Sequence, residues 1–322
     1  MIPILSIRDL IVEFQLGKAS LRAVNRASID VQQGEVMAVV GESGSGKTTL
    51  AFSILNLVPS PGRIVDGEIL FGEKDVLSLN PEELRRYRWK EVAMVFQAAQ
   101  NAMNPVMRIA DQMIDTVSSH EKVPKRKIIE RASELLEMMR LEPSQVLRSY
   151  PHELSGGMRQ RTIIATSLIL NPKMLILDEP TTALDVVTQS YILDILADIR
   201  QKLGLTMLLL THDMSIVAKI ADRVGVMYAG KIVEVGGIEE IFYDAKHPYT
   251  VGLINAAPSL IGDIYEKKPI PGSPPDLRNL PPGCPFHPRC SHATPSCREE
   301  EPVLEEIGDG RLVACHNWWM IG

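Results

Sequence analysis

The sequence predicts an α/β fold in which a mostly parallel sheet carries helices on both faces. Three observations predict it. Short, wholly apolar runs at 36–40, 174–177 and 207–210 have the length and composition of buried parallel strands. Segments of helical periodicity alternate with them, as strand–helix–strand crossovers require. Each run also ends in polar residues suited to phosphate chemistry, at the strand end where such sheets gather their ligands.

The first 35 residues alternate apolar runs with polar breaks and read as antiparallel strands and turns that end at Gly34-Glu35. The strand at 36–40 runs into a glycine-rich loop, and a helix over 48–57 follows until Pro59-Ser60-Pro61-Gly62 stops it. Residues 104–161 are mostly helical, with 128–141 the clearest amphipathic stretch. A helix over 158–170, the strand at 174–177, a helix over 187–203, the strand at 207–210 and a helix from near Met214 complete the alternation. Beyond Gly237 a run of prolines from Pro258 to Pro295 excludes long regular elements. We expect a domain over 1–235, with a helical subdomain at about 98–160, and an irregular extension over 236–322.

The bulk numbers bound the function. The chain has 322 residues, 45% of them apolar and 23% charged, an ordinary globular composition with ample core. No run approaches the 18 or so apolar residues of a spanning helix, and the N-terminus lacks the pattern of a signal peptide. The expected location is therefore the cytosol, with any membrane role peripheral. A net charge of −6 argues against a nucleic-acid partner, and the basic stretch 122–127 reads as a solvated helix face.

Gly41-Glu42-Ser43-Gly44-Ser45-Gly46-Lys47-Thr48 matches the phosphate-loop pattern G-x-x-x-x-G-K-[ST] at every fixed position, and Thr49 follows it. The glycines let successive backbone N–H groups converge on phosphate oxygens, and the next helix turns its positive end toward the anion. Lys47 supplies a point charge to the outer phosphates, and the Thr48 hydroxyl suits Mg²⁺. A strand before the loop and a helix after it make this a nucleoside triphosphate site, and the chain a P-loop NTPase. The strand at 174–177 ends in Asp178-Glu179. Asp178 is placed to hold Mg²⁺, and Glu179 to act as general base toward an attacking water. The strand at 207–210 ends in Thr211-His212, where an imidazole can reach a γ-phosphate or hold that water.

Leu154-Ser155-Gly156-Gly157-Met158-Arg159-Gln160 supplies a second capped, glycine-opened helix start that favours an anion. With the other loops, it makes the chain resemble the nucleotide-binding subunits of ABC transporters, whose signature is Leu-Ser-Gly-Gly-Gln or a near variant. Met158 departs from the generic fifth position, in a form common in the peptide-importer branch. The resemblance implies an ABC-type nucleotide-binding domain with an antiparallel β subdomain and a helical subdomain. It also implies that Gln97, in Val95-Phe96-Gln97, senses Mg²⁺ and the attacking water. Glu179 matches the catalytic glutamate, His212 the switch histidine, and Asp185 the aspartate that faces a dimer partner. Such subunits pair head to tail, so that each ATP lies between one subunit's phosphate loop and the other's Ser155-Gly156-Gly157. For adenine stacking, Phe14 and Arg22 both stay open.

All four cysteines fall in the last 39 residues, as Cys284, Cys290, Cys297 and Cys315, with the spacing C-x₅-C-x₆-C-x₁₇-C. Zinc usually takes closer pairs, though His287, His292 and His316 could substitute as ligands. A reducing compartment disfavours disulfides, and four thiolates also satisfy an iron–sulfur cluster. This tail, with His247-Pro248-Tyr249-Thr250 and Ala314-Cys315-His316, resembles the C-terminal region of di- and oligopeptide importer ATPases. That resemblance implies a structural [4Fe–4S] cluster on the four cysteines, with zinc the alternative.

The expected function is ATP hydrolysis, with Mg²⁺, in an importer of di- or oligopeptides. The expected partners are a second ABC ATPase subunit, membrane permease subunits and, indirectly, an extracytoplasmic substrate-binding protein. Nickel, glutathione or another small solute would fit the same architecture, because an ATPase subunit does not touch the cargo. A soluble ABC ATPase acting on ribosomes or in DNA repair would call for tandem cassettes, a coiled-coil insertion or a basic face. A zinc-dependent regulator with a vestigial site is disfavoured by the intact set Lys47, Asp178, Glu179 and His212.

Overall fold

The structure is a computed structural model that describes residues 2–17, 19–99, 102–182, 184–257, 269–308 and 310–321. Pro258, at the head of the proline run, lies outside them. The chain divides into two compact units, one made of 1–78 with 209–322 and the other of 79–208.

The first unit begins with two long strands, β1 (Leu5–Leu16) and β2 (Ala19–Val31), paired antiparallel. The apolar run β3 (Val36–Val40) is fully buried, and α1 (Lys47–Ile54) starts at the end of the glycine-rich loop. It is shorter than the periodicity predicts, because Leu55 leaves helical geometry before the prolines are reached. β4 (Gly62–Phe71) returns antiparallel to β1, and β5 (Lys74–Asp75) closes a sheet of order β2-β1-β4-β5. Gly62 sits against the Phe14 ring, where a β-carbon would come within 2.7 Å of the ring edge.

The second unit opens with α2 (Pro81–Lys90), whose start is fixed by a capping box between Asn80 and Glu83. The buried strand β6 (Val92–Val95) leads to α3 (Ile109–Ser118), α4 (Lys125–Met138) and the short α5 (Pro143–Val146). α4 buries Ile128, Ala132, Leu135 and Leu136, one stripe at helical spacing. Then come α6 (Gly156–Ser167), β7 (Met174–Asp178), α7 (Val186–Leu203) and β8 (Thr206–Thr211), in which the chain passes back to the first unit. β6 and β7 pair in parallel, and every residue of both is buried. Gly204, in left-handed geometry at φ 62°, ends α7.

Back in the first unit, α8 (Met214–Ile220) precedes β9 (Arg223–Tyr228), which pairs parallel to β3, and β10 (Lys231–Gly237), antiparallel to β9. The tail supplies α9 (Ile238–Tyr243), α10 (Pro248–Ala256), α11 (Pro295–Glu299), β11 (Glu305–Gly308) and β12 (Arg311–Val313). An irregular extension is the expectation there, and each of these elements is short. The two strands are an addition: β12 pairs with β10 and β11 with β12, giving the order β11-β12-β10-β9-β3 in this unit. Their pattern is illegible in the sequence because they span only three or four residues.

The tail is also built into this unit's core. Phe286 is buried in one cluster with Val40, Val224, Val226, Tyr228 and Tyr249, and Cys284 and Cys290 pack against that cluster. Its ring lies 5.2 Å from Tyr228 edge to face, and 5.4 Å from Tyr249.

Candidate functional site

The loop at 41–48 lies between β3 and α1. Its glycines are required by geometry: Gly46 has φ 108°, and a β-carbon there would collide with the Ala23 carbonyl, while one at Gly41 would collide with the Met227 carbonyl. The Lys47 side chain is nearly buried, and its Nζ donates to the Gly41 carbonyl at 2.7 Å and the Glu42 carbonyl at 3.1 Å. The ammonium is thus held over the loop's own backbone. Gly46 stands at the N-cap with no side-chain acceptor, so the first N–H groups of α1, at Lys47, Thr48 and Thr49, keep the loop's positive end. His212, in the same unit, is exposed directly after β8.

Two residues outside the motif hold this loop. The Glu42 N–H donates to the Tyr249 hydroxyl at 2.8 Å, and the Glu42 carboxylate takes two bonds from Arg289, at 2.7 and 2.9 Å. Neither is foreseen from the sequence. Tyr249 is visible there only as part of His247-Pro248-Tyr249-Thr250, and Arg289 only as the neighbour of Cys290.

In the second unit, Asp178 ends β7 and is buried, whereas Glu179 takes φ 46°, left-handed geometry that a glutamate adopts at a cost. Glu179 Oε2 accepts from Gln97 Nε2 at 3.2 Å and from the Thr182 hydroxyl at 2.9 Å. Gln97 and Glu179, 82 residues apart, are therefore brought together, and Thr182 is a partner the sequence does not announce. Ser155 caps α6 by accepting from the Met158 N–H at 3.3 Å, so the helix starts at Gly156. A β-carbon on Gly157 would come within 2.9 Å of the Thr188 methyl, so the signature segment needs its second glycine to pack here. Thr188 in turn donates its hydroxyl at 2.7 Å and its N–H at 2.9 Å to Asp185, the N-cap of α7. These bonds hold the Asp185 carboxyl below its ordinary pKa. Ala183, two residues before Asp185, lies outside the described residues. Of the two adenine candidates, Arg22 pairs with Glu13 at 2.8 Å.

All four cysteines line one small cavity, and none forms a disulfide. Cys284, Cys290 and Cys315 each accept a backbone N–H from the residue two further on. Cys297 lies 3.3 Å from the Thr294 hydroxyl and accepts from Asn317 Nδ2 at 3.6 Å. Burial pushes the Cys284 thiol up to about 12 and Cys315 to about 11, with the neighbouring thiols adding to the rise. Among the described residues, no three His, Cys, Asp or Glu side chains converge as a single metal ion demands. The described residues thus show a ready metal site neither for the expected cluster nor for its zinc alternative.

A family model described as ABC transporter matches residues 24–182, and one described as oligopeptide/dipeptide transporter, C-terminal region, matches 233–297. A solved ATP-binding cassette in a post-hydrolysis state, bound to ADP and phosphate, superimposes with TM-score 0.63 at 25% identity, over 73% of this chain and 98% of that one. An ABC transporter component of Clostridium perfringens superimposes with TM-score 0.66 at 28% identity, over 79% and 96%. Fold and site thus define an ATP-binding cassette of the P-loop class, an ABC-type ATPase. The dipeptide transport ATP-binding protein of Caldanaerobacter subterraneus is 44% identical over 97% of this chain and 96% of its own length. The oligopeptide transport ATP-binding protein of Bacillus subtilis is 43% identical over 96% and 87%. The chain belongs to this family of dipeptide and oligopeptide transport ATP-binding proteins.

Proposed function

We propose that the chain is the ATP-hydrolysing subunit of an importer for di- or oligopeptides, acting at the inner face of the cell membrane. The observation that carries this reading is the match of the peptide-transporter C-terminal region to 233–297, together with identity to peptide-transport subunits along nearly the whole chain. The same match supports a boundary near 235 between the cassette (1–235, with its helical subdomain at about 98–160) and the C-terminal segment (236–322). Among the described residues no helix is long and apolar enough to cross a membrane, so permease subunits would supply the path.

In this reading the backbone of the phosphate loop binds the phosphates, Lys47 neutralises their charge, and Thr48 and Asp178 each carry a hard oxygen donor of the kind Mg²⁺ takes. Bound there, Mg²⁺ would offset the charge that develops on the phosphate oxygens. Glu179 takes the proton of the attacking water, while Gln97 orients the Glu179 carboxylate through their hydrogen bond and His212 steadies the γ-phosphate. Ser155, Gly156, Gly157 and Asp185 would serve a second subunit's nucleotide in a head-to-tail dimer.

The four cysteines suit an iron–sulfur cluster in one respect: every sulfur has a donor directed at it, as thiolate ligands of such clusters prefer. A [4Fe–4S] cluster would tie the proline-rich tail together. The test of the proposed function is co-purification with permease and substrate-binding subunits, followed by ATPase assay in lipid. Stimulation by di- or oligopeptides is expected. Stimulation by nickel or glutathione instead would overturn the peptide assignment.

A further inference from the structure

Glu42 is the first variable residue of the phosphate loop, and all its polar groups are engaged within one unit. Its N–H is taken by the Tyr249 hydroxyl, its carboxylate by both terminal nitrogens of Arg289, and its carbonyl by Lys47. The Arg289 side chain is itself only 5% exposed. Its Nε donates to the Pro271 carbonyl at 2.8 Å, and its guanidinium lies 5.8 Å from the centroids of both Tyr228 and Phe286. A buried arginine fork clamped on three sides is a fixed strut, unlike an exposed ion pair. The Ser45 N–H also donates to the Glu42 carbonyl, at 3.2 Å. Of the three side chains bonded to Glu42, Lys47 must let go when its ammonium turns to a phosphate. The other two, both from the tail, take the Glu42 N–H and carboxylate, and leave the later N–H groups of the loop to the phosphates.

We propose that Arg289 and Tyr249 are positioning residues for the phosphate loop, so that the cysteine-bearing tail sets the affinity of the site for ATP. They hold Glu42 while Lys47 exchanges its backbone acceptors for phosphate oxygens, and so keep the loop in its binding shape. Arg289 directly precedes Cys290, and Phe286 lies between Cys284 and Cys290 in sequence, so the fold of the cysteine segment and the strut are continuous. The inference rests on the assignment of residues 41–48 to ATP.

The experiment measures binding of a fluorescent ATP analogue with Mg²⁺, steady-state ATPase and thermal unfolding on the full chain. Arg289→Gln is expected to raise Kd and KM about tenfold with kcat within threefold of wild type, and Arg289→Lys to recover part of the loss. Tyr249→Phe keeps the buried ring and removes only the hydroxyl, and is expected to raise Kd about threefold. Glu42→Gln added to Arg289→Gln should cost less than the two single losses combined, because both changes break one contact. If Arg289→Gln does not fold, Tyr249→Phe decides. Wild-type Kd in every folded variant, or a loss confined to kcat, overturns the proposal. Lys47→Ala separates the two readings: if it too binds at wild-type affinity, the phosphate-loop assignment fails, and not the strut.

Discussion

Phe286→Ala tests whether the tail is part of the phosphate-loop unit or an attachment to it. The ring is 3% exposed and meets Tyr228, Tyr249 and His247 at 5.2, 5.4 and 5.8 Å between centroids. Truncating a fully buried phenylalanine costs about 3–5 kcal/mol, the transfer of the ring plus the cavity left behind. The upper half of that range is expected, since three aromatic contacts vanish with it. At roughly 2–4 °C per kcal/mol, the melting temperature should fall by about 10 °C. Differential scanning calorimetry measures the shift, and limited proteolysis reports where the chain opens. If the tail belongs to the core, the main transition moves and cleavage sites appear in β3 and β9 as well as in the tail. A main transition at its wild-type temperature, with cleavage confined to residues beyond 236, would refute the reasoning.

Three further outcomes are expected. Glu179→Gln keeps the size of the side chain and the bond from Thr182 but removes the base, so ATP binding should persist with turnover reduced by at least about 100-fold; near-normal phosphate release would remove Glu179 from that role. His247 is buried among Phe286, the Glu234 carboxylate and the Tyr249 N–H it accepts, and burial holds its pKa down to about 3, against an ordinary value near 6.5. The unfolded chain therefore binds the proton first, so this contribution is full above about pH 6.5 and is lost as pH falls toward 3, by up to about 1.4 kcal/mol per unit. His247→Asn, which keeps a cap acceptor without titrating, should lose less stability than wild type over that window in urea unfolding; parallel curves would exclude the histidine. For the cysteines, anaerobic purification should give brown protein absorbing near 400 nm with iron and sulfide, and chelation of the iron should lower the melting temperature; one zinc and no iron per chain would end the cluster reading.

The chemistry of this protein was legible wherever it is carried by contiguous residues. The phosphate loop, Asp178-Glu179 at the end of β7 and Ser155 at the head of α6 are local patterns whose backbone geometry follows from residue type and spacing. The strands β3 and β7 were legible too, because burial on both faces leaves an unbroken apolar run. β11 and β12 were not, because a strand of three or four residues is fixed by the neighbour it pairs with.

The sequence by itself determined the class of reaction, since phosphate binding and water activation each require particular side chains at fixed local offsets. Only the tertiary structure decided what holds those side chains in place. Gln97 reaches Glu179 across 82 residues, and Arg289 reaches Glu42 across 247. Contacts between residues so far apart depend on how the strands and helices pack, and leave no periodicity in the chain to read. The same packing turned the proline-rich tail from an expected appendage into the wall against which the phosphate loop is set.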